Sequence, residues 1–297
     1  MDVKKQDNLP QVKIGILGGT GLYEIEGIKE LKEVHLETPF GVPSDAFIVG
    51  VLEGKKVAFL SRHGRGHSIL PSEINYRANI YGFKMLGVEQ IISVNSAGSL
   101  KEEIKPKDIV FADQFYDRTR RKNTFFGEGA VGHISFAKPV CPDLSTFMFN
   151  TGKKLNLHVH KGGTYICIEG PSFSTKAESH IYRSWGCSVI GMTSATEAKL
   201  AREAEICYAT MSLVTDYDVW HEEEESVSVE LILENLKQNI HNAKALIKEA
   251  ISEFPTDLSR KCPCAQALKN AIVTRGNLIP MKTKENLRLL IEKYIDL

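Results

Sequence analysis

The chain has 297 residues and a formal net charge of zero, because 37 Lys and Arg balance 37 Asp and Glu. Hydrophobic residues make up 42% and charged residues 25%, as in an ordinary globular protein. The balanced charge excludes attraction of the whole protein to nucleic acid or an anionic membrane. No apolar run approaches the ~18 residues of a membrane span, and the polar first residues lack a signal-peptide apolar region, so we expect a cytoplasmic protein.

Strand-like apolar segments recur along the chain. Several are apolar almost throughout, which is typical of strands covered on both faces of a sheet. Gly54 is placed to turn the second segment into the third as a hairpin. The predicted strands are Val12–Leu17, Phe47–Leu52, Val57–Leu60, Gln90–Val94, Asp108–Ala112, Thr164–Ile168, Ser188–Met192 and Ile206–Val214.

Helical patterns lie between these segments. The clearest is Val229–Ile251, whose apolar residues recur with helical spacing. Pro71-Ser72-Glu73 predicts the start of an earlier helix, and Ser174–Trp185 and Ser194–Ala204 are predicted as two more. The alternation favours a single α/β domain over residues 1–297, with a mixed β-sheet flanked by helices. Residues 257–297 are predicted as a C-terminal helical tail of that domain.

The first predicted strand runs into the glycine-rich loop Gly18-Gly19-Thr20-Gly21. Glycines let the backbone approach a ligand with its N–H groups, and Thr20 adds a hydroxyl donor. Three interpretations stay open: a phosphate site, a purely structural turn, and a dinucleotide site built on the spacing of Gly15, Gly18 and Gly21. The last is disfavoured because no tyrosine has a lysine four residues on, as oxidoreductases with that spacing usually require.

Three other predicted strands also end in side chains suited to an anion. Ser61–His67 holds two arginines and two histidines separated by glycines, and arginine offers paired donors to phosphate oxygens. Asn95–Ser99 and Thr193–Glu197 place hydroxyls at strand ends, where open α/β sheets bind ligands. Each segment alone also fits a solvated loop or a helix cap. Together they predict a site for one small anion.

Two further segments, Glu169–Thr175 and Thr215–Asp218, complete a set of motifs that resembles the trimeric purine nucleoside phosphorylase family. The resemblance covers about Val12 to Ile251. The matching stretches are Gly18-Gly19-Thr20-Gly21, Thr38-Pro39-Phe40-Gly41, Pro43-Ser44-Asp45, Arg62-His63-Gly64-Arg65, Pro71-Ser72, Asn75-Tyr76-Arg77-Ala78-Asn79, Gly98-Ser99-Leu100, Asp113-Gln114-Phe115, Asp117-Arg118-Thr119, Glu169-Gly170-Pro171-Ser172-Phe173-Ser174, Gly191-Met192-Thr193 and Thr215-Asp216-Tyr217-Asp218.

The resemblance implies phosphorolysis, in which inorganic phosphate attacks the anomeric carbon of a purine nucleoside. It implies phosphate as co-substrate, no metal or organic cofactor, and a homotrimer or dimer of trimers. Its partners would be the nucleoside and phosphate, with no nucleic acid and no membrane. The residues that match the family's phosphate site are Thr20, Arg62, His63, Ser96 and Thr193.

Asp216 and Asp218 are the implied catalytic residues and should face the purine. A carboxyl group kept neutral by burial and a neighbouring acid can donate a proton at pH 7, which makes Asp216 the candidate acid. Asp218 has an alternative role as a structural carboxylate that orients Asp216. Family members acting on 6-oxopurines carry Asn in place of Asp216 and Glu in place of Ser174, so this chain resembles the enzymes that act on adenine nucleosides.

Met192 should pack under the ribose and Phe173 against the sugar or base. His133 matches a position that enters the neighbouring subunit's site, although as sequence alone it fits a surface histidine equally well. In a branch acting on 5'-methylthioadenosine, apolar residues wall the methylthio group. The matching positions here are Val229, Ile232 and Leu233.

The implied products are adenine and 5-methylthioribose 1-phosphate, which belong to purine and methionine salvage. A broader phosphorylase acting on adenosine, inosine or methylthioinosine is the alternative within the family. An NAD-dependent oxidoreductase and a non-enzymatic nucleoside-binding protein are the alternatives from other classes.

Six cysteines are too few for a disulfide-built scaffold, and only Cys262 and Cys264 are closely spaced. This pair fits a strained redox-active disulfide or two free thiols. A zinc site is disfavoured because no second Cys or His pair follows at finger spacing. Some archaeal relatives from hot environments carry a similar Cys-x-Cys, and the resemblance implies a disulfide between Cys141 and Cys207.

Overall fold

The computed structural model describes residues 9–19, 22, 25–221, 229–254 and 260–297, with the backbone alone for residues 229–234. Its strands are β1 (Ile14–Gly18), β2 (Lys29–Val34), β3 (Phe47–Leu52), β4 (Lys55–Ser61), β5 (Gln90–Ser99), β6 (Ile109–Phe111), β7 (Gln114–Asp117), β8 (Val159–Lys161), β9 (Thr164–Cys167), β10 (Cys187–Gly191) and β11 (Cys207–Asp216). Its helices are α1 (Tyr76–Met85), α2 (Pro142–Lys154), α3 (Lys176–Ser184), α4 (Ser194–Glu203), α5 (Val229–Glu253) and α6 (Met281–Ile291).

The described strands form one mixed sheet organised around β5. Strand β11 pairs with β5 in parallel along its length, and β1 pairs with its first half, ending at Leu17 and Ser93. Beyond that point β10 takes over antiparallel pairing at Gly98 and Ser99. Because β1, β4, β5 and β11 are mutually parallel, their carboxyl ends lie on one side of the sheet.

Helices cover both faces of this sheet. Alternate residues of β1 contribute to the two largest apolar clusters, since successive strand side chains point to opposite faces. Leu17 lies in the cluster that α1 and α4 complete, whereas Ile14 and Ile16 lie in the cluster completed by α2 and α5. The predicted α/β class, with a mixed sheet between helices, is therefore confirmed. None of the described helices is long and apolar enough to cross a membrane.

Several predicted boundaries are wrong. Strand β5 runs to Ser99 instead of ending at Val94, because pairing with β11 and then β10 extends it. Helix α1 begins at Tyr76, where the Asn75 side chain accepts the Ala78 N–H at 3.1 Å, and Pro71-Ser72-Glu73 forms a turn before it. The sequence pattern did not predict β2, β7, β8 or α2.

The C-terminal segment is helical only in part. Residues 260–297 contain short 3-10 turns at Pro263–Gln266 and Gly276–Leu278 before α6. Leu268, Ile279 and Leu287 of this segment are buried in the apolar cluster beneath α1. This packing places the segment against the same core as the sheet.

Gly15, in the middle of β1, tests how tightly this core is packed. A Cβ atom there would lie 2.7 Å from Cε1 of Phe83, so Gly15→Ala forces the ring to move. We expect the substitution to destabilise the protein by about 1–3 kcal/mol, as overpacked cores do, measured as a lower midpoint of urea unfolding. Gly19→Ala is the control, because nothing lies within 4 Å of its Cβ position. Equal midpoints for the two variants would contradict this packing.

Candidate functional site

The guanidinium of Arg62 fills the place where β1 and β5 separate. Its Nη1 donates to the carbonyl oxygen of Val94 at 2.7 Å. Its Nη2 donates to the carbonyl oxygen of Leu17 at 3.3 Å and to the Ser93 Oγ at 2.8 Å. Arg62 is only 2% exposed, so these bonds form away from water, where an unpaired polar group is costly. Arg62 thereby joins the end of β4 to the end of β1 and to the middle of β5.

Glu197 on α4 neutralises this buried charge. Its Oε1 accepts from the Arg62 Nε at 2.6 Å, and its Oε2 accepts from the hydroxyls of Ser93 and Tyr208 at 2.7 and 2.9 Å. Burial alone disfavours the guanidinium charge, but the carboxylate beside it holds the pKa of Arg62 above its ordinary value. The contact of Arg62 with phosphate stays a prediction.

His63 follows Arg62 at the mouth of the same loop. Its Nδ1 lies 2.8 Å from the carbonyl oxygen of Ile69, so Nδ1 carries the proton and Nε2 holds a lone pair. Its ring stacks on that of His67 at a centroid distance of 4.3 Å. Burial, together with the Arg62 charge, lowers the pKa of His63 to about 4. The imidazole is therefore neutral at pH 7 and suited to accept a hydrogen bond from a phosphate O–H.

The other predicted phosphate residues have different settings. Ser96 is exposed on β5, two residues after the carbonyl that Arg62 binds. Thr193 is the N-cap of α4, and it is buried, with its side chain not used to cap the helix. The first turn of a helix favours anions, which agrees with the predicted role of Thr193. Thr20 lies outside the described residues.

Core packing explains why glycine occupies two positions of β1, Gly15 and Gly18. The missing Cβ of Gly15 leaves room for Phe83, and that of Gly18 leaves room for Leu22. Two of the three glycines in the dinucleotide spacing are thus explained by the core alone. This weakens the dinucleotide interpretation of the loop.

Asp216 and Asp218 lie at the end of β11, and both are buried. The Asp216 Oδ2 accepts from the Thr215 hydroxyl at 2.6 Å and its Oδ1 from the Asp218 backbone N–H at 2.8 Å. Asp218 thus orients Asp216 through its main chain, and its own carboxyl lies near the Ser179 hydroxyl and the Val219 backbone N–H. The Asp218 Oδ2 has no hydrogen-bond partner among the described residues. Burial and the nearby Asp216 charge raise the pKa of Asp218 to about 6.

Gly98 of β5 lets Asp216 come this close to the sheet. A Cβ at Gly98 would lie 2.9 Å from the Asp216 Oδ1. The strand that carries Ser93 and Ser96 therefore also lies against the paired acids. The predicted phosphate and base ends are brought together along one strand.

Met192 is held in place by an arginine that the sequence analysis missed. Arg121 donates from Nη1 to the Met192 carbonyl oxygen at 2.6 Å and from Nε to the Glu169 Oε1 at 2.8 Å. Gly170, at φ 66°, leaves room for the Met192 thioether, because a Cβ there would lie 2.5 Å from its Sδ. Only the position of Arg121, near the motif Asp117-Arg118-Thr119, could have signalled this role.

The remaining predicted substrate residues have different settings. Phe173 is 54% exposed, whereas Ser174 is buried and its Oγ has no partner among the described residues. His133 is exposed, and its backbone N–H donates to the Ala271 carbonyl oxygen at 2.8 Å. The side chains of Val229, Ile232 and Leu233 lie outside the described residues.

With this geometry established, comparison with known proteins gives the class. The sequence profile of the Phosphorylase superfamily matches residues 13–252, which is most of the chain and spans every element that contributes to the site. The chain therefore belongs to the phosphorylase superfamily, and the family resemblance inferred from its motifs is confirmed.

The individual relatives are more specific. The S-methyl-5'-thioadenosine phosphorylase of Geobacter sulfurreducens is 56% identical over 284 residues, 95% of this chain and 99% of the relative. The crystal structure of a methylthioadenosine phosphorylase from an antarctic soil metagenomic library is 45% identical with a TM-score of 0.90, covering 95% and 99% of the two chains. The methylthioadenosine phosphorylase from Schistosoma mansoni in complex with adenine is 35% identical with a TM-score of 0.77, covering 81% and 91%.

The lowered pKa of His63 predicts a pH-dependent stability. In the unfolded chain this histidine takes up a proton as the pH falls below its ordinary pKa of 6.5. In the folded protein it stays neutral until the pH approaches its lowered pKa of about 4. Its contribution to stability is therefore fully present above pH 6.5 and is lost as the pH falls to about 4. His63→Asn, which keeps a donor for Ile69 but does not titrate, should flatten this part of the stability profile.

The measurement is the melting temperature of wild type and variant across this pH range. His180→Asn, at an exposed position on α3, is the matched control and should follow the wild type. A His63→Asn profile parallel to the wild type throughout would contradict a buried neutral imidazole.

Proposed function

We propose that this chain is a pentosyltransferase that cleaves 5'-methylthioadenosine with inorganic phosphate. A phosphate oxygen forms a bond to C1' as the bond from C1' to N9 breaks, giving 5-methylthioribose 1-phosphate and adenine. The observation that carries the proposal is the 56% identity, over 95% of this chain, to an S-methyl-5'-thioadenosine phosphorylase. The buried acids, the phosphate-type loops and the positioned Met192 supply the chemistry such a reaction needs.

The phosphate binds beside the loop that begins at Arg62. His63 accepts a hydrogen bond from the phosphate O–H at Nε2, and the hydroxyls of Ser96, Thr193 and Thr20 donate to its oxygens. Glu197 keeps the guanidinium of Arg62 fixed beneath the anion. A phosphate held this way stabilises the positive charge that develops on the ribose as the glycosidic bond weakens.

The purine binds at the paired acids. Covering the two buried acids with the purine disfavours two adjacent charges, so Asp216 takes up a proton when the substrate binds while Asp218 keeps its charge. As the bond to N9 breaks, its electron pair moves onto the base, and Asp216 donates the proton that neutralises it. The Asp218 carboxylate accepts from the exocyclic 6-amino group of adenine. A 6-oxo group in that place would put its carbonyl oxygen next to the Asp218 carboxylate, and neither oxygen has a proton to donate. This arrangement therefore favours adenine nucleosides.

Met192 supports the ribose, and Phe173 covers the sugar or base together with Ser174. Val229, Ile232 and Leu233 wall the 5'-methylthio group. An apolar pocket rejects a hydroxyl only modestly, since burying one without a partner costs about 1–3 kcal/mol. Adenosine is therefore a slower second substrate.

We infer a homotrimer or dimer of trimers in which His133 completes the neighbouring subunit's site. The exposure of His133 and of Val131, at 46%, supports this arrangement because both lie on one outward-facing loop. A cytoplasmic location and a role in purine and methionine salvage belong to the same proposal.

The decisive experiment measures adenine release from 5'-methylthioadenosine with and without phosphate. We expect release only with phosphate, together with formation of 5-methylthioribose 1-phosphate. Adenosine, inosine and methylthioinosine are measured in parallel. Release without phosphate would indicate a hydrolase, absence of release would indicate a binding protein, and fast turnover of the 6-oxopurines would indicate the broader phosphorylase.

The two acids should differ in a measurable way. Asp216→Asn removes the proton donor and should lower turnover of adenine nucleosides by at least about 100-fold. In the wild type, kcat/KM should rise with pH through about 6 as Asp218 ionises, and Asp218→Asn should abolish that limb.

Steady-state rates from pH 5 to 8 test both statements. Asp143→Asn, an exposed acid at the start of α2, should behave as the wild type. A near-wild-type rate for Asp216→Asn would remove its assigned role, and an unchanged pH limb in Asp218→Asn would remove that of Asp218.

A further inference from the structure

Four cysteines from three distant parts of the chain converge away from the nucleoside site. Cys141 is the N-cap of α2, Cys207 begins β11, and Cys262 and Cys264 flank Pro263 in a 3-10 turn. Their Sγ atoms all lie within 4.8 Å of one another. Three of the four side chains are buried, and that of Cys262 is partly exposed.

The sulfur distances fit an ion at the centre better than disulfide bonds. The Sγ atoms of Cys207 and Cys262 lie 3.3 Å apart, far beyond the ~2.05 Å of a disulfide. All six cysteines of the chain are free thiols in this structure. Tetrahedral zinc with bonds of about 2.3 Å to sulfur sets its ligands about 3.8 Å apart. This agrees with sulfurs that all lie within 4.8 Å of one another, with one pair at 3.3 Å.

The backbone holds the first two cysteines together. The Cys141 N–H donates to the carbonyl oxygen of Tyr208, the residue after Cys207, at 2.8 Å. The Cys207 N–H donates to the carbonyl oxygen of Glu89 at 2.9 Å. These bonds fix the start of α2 against the start of β11. Two of the four sulfurs are therefore positioned by the sheet itself.

Arg260 brings the second pair to the first. Its Nη1 donates to the carbonyl oxygen of Glu205 at 2.6 Å. Arg260 is two residues before Cys262 and Glu205 is two residues before Cys207, so this bond brings the two cysteines close to each other. The Arg260 Nε also lies 3.5 Å from the Glu89 Oε2, so its charge is paired with the residue whose carbonyl oxygen accepts from the Cys207 N–H. Cys141, Cys207 and Cys264 belong to the apolar cluster that α2 and α5 complete, and Cys262 packs against it.

We propose that Cys141, Cys207, Cys262 and Cys264 form a tetrathiolate site for Zn²⁺. Each thiol that binds loses its proton to solvent, and four sulfur ligands select a soft or borderline metal. With four protein ligands the coordination shell is closed, so the ion is structural and takes no part in phosphorolysis.

The ion would link the C-terminal segment, through Cys262 and Cys264, to the sheet at Cys207. That segment continues from Cys264 to the residues that hold the loop of His133. The His133 N–H donates to the Ala271 carbonyl oxygen at 2.8 Å, and the Val131 N–H donates to the Thr274 Oγ1 at 2.9 Å. Loss of the metal should therefore lower thermal stability first and loosen this loop second.

The test measures metal in the full chain purified under reducing conditions. We expect about one zinc ion per chain by inductively coupled plasma mass spectrometry. Cobalt-exchanged protein should show the sulfur-to-metal charge-transfer and intense visible bands of tetrahedral thiolate coordination. Cys207→Ser and Cys262→Ser should lower zinc affinity by more than the about 10-fold that loss of an outer-shell partner brings. Cys187→Ser, a buried cysteine outside the cluster, should keep the metal.

The cobalt spectrum uses the wild type, so the test stands even where a serine variant fails to fold. Failure of wild-type protein to bind zinc or cobalt on reconstitution under reduction would overturn the site. Disulfides in protein reconstituted under reduction, full zinc content in Cys262→Ser, or iron in place of zinc would overturn it too. Metal content is read independently of adenine release, so failure of this site and failure of the proposed reaction are distinguishable.

Discussion

The buried ion pair between Arg62 and Glu197 is the interaction on which the rest of the site depends. The two charges are almost fully removed from water, with exposures of 2% and 1%. Such charges are tolerated only as a hydrogen-bonded pair, and removal of one partner costs about 3–5 kcal/mol because the other is left buried and unpaired. Through Leu17, Ser93 and Tyr208 the pair touches three parallel strands, and it thereby fixes where the loops predicted to bind phosphate meet.

The separation of β1 from β5 at this ion pair explains how one strand reaches both the loops predicted to bind phosphate and the paired acids. Beyond the last pair with β1, strand β5 stays paired with β11, and its other edge pairs with β10. Ser96, which is predicted to bind phosphate, and Gly98, which lies against Asp216, are two residues apart on this strand. Gly98 leaves the space that Asp216 occupies, so the Asp216 carboxyl lies directly against β5.

Strand β11 joins the nucleoside site to the cysteine cluster. It begins at Cys207 and ends at Asp216, about 30 Å apart at the usual rise of a strand. This distance separates any metal from the reacting atoms and agrees with a structural role. The cluster and the acids are nevertheless anchored in the same buried strand, so both depend on the same core packing.

The sequence by itself determined the class of fold, the family and most of the strands, because strand burial and glycine, arginine and acid motifs are local patterns. Tertiary structure alone decided the long-range partners: the pairing of Arg62 with Glu197, the hold of Arg121 on Met192, and the main-chain contact by which Asp218 orients Asp216. The cysteines show the reason most clearly. A spacing rule recognises ligands that are near in sequence, whereas Cys141, Cys207 and Cys262 approach one another only because α2, β11 and the C-terminal turn pack on one core.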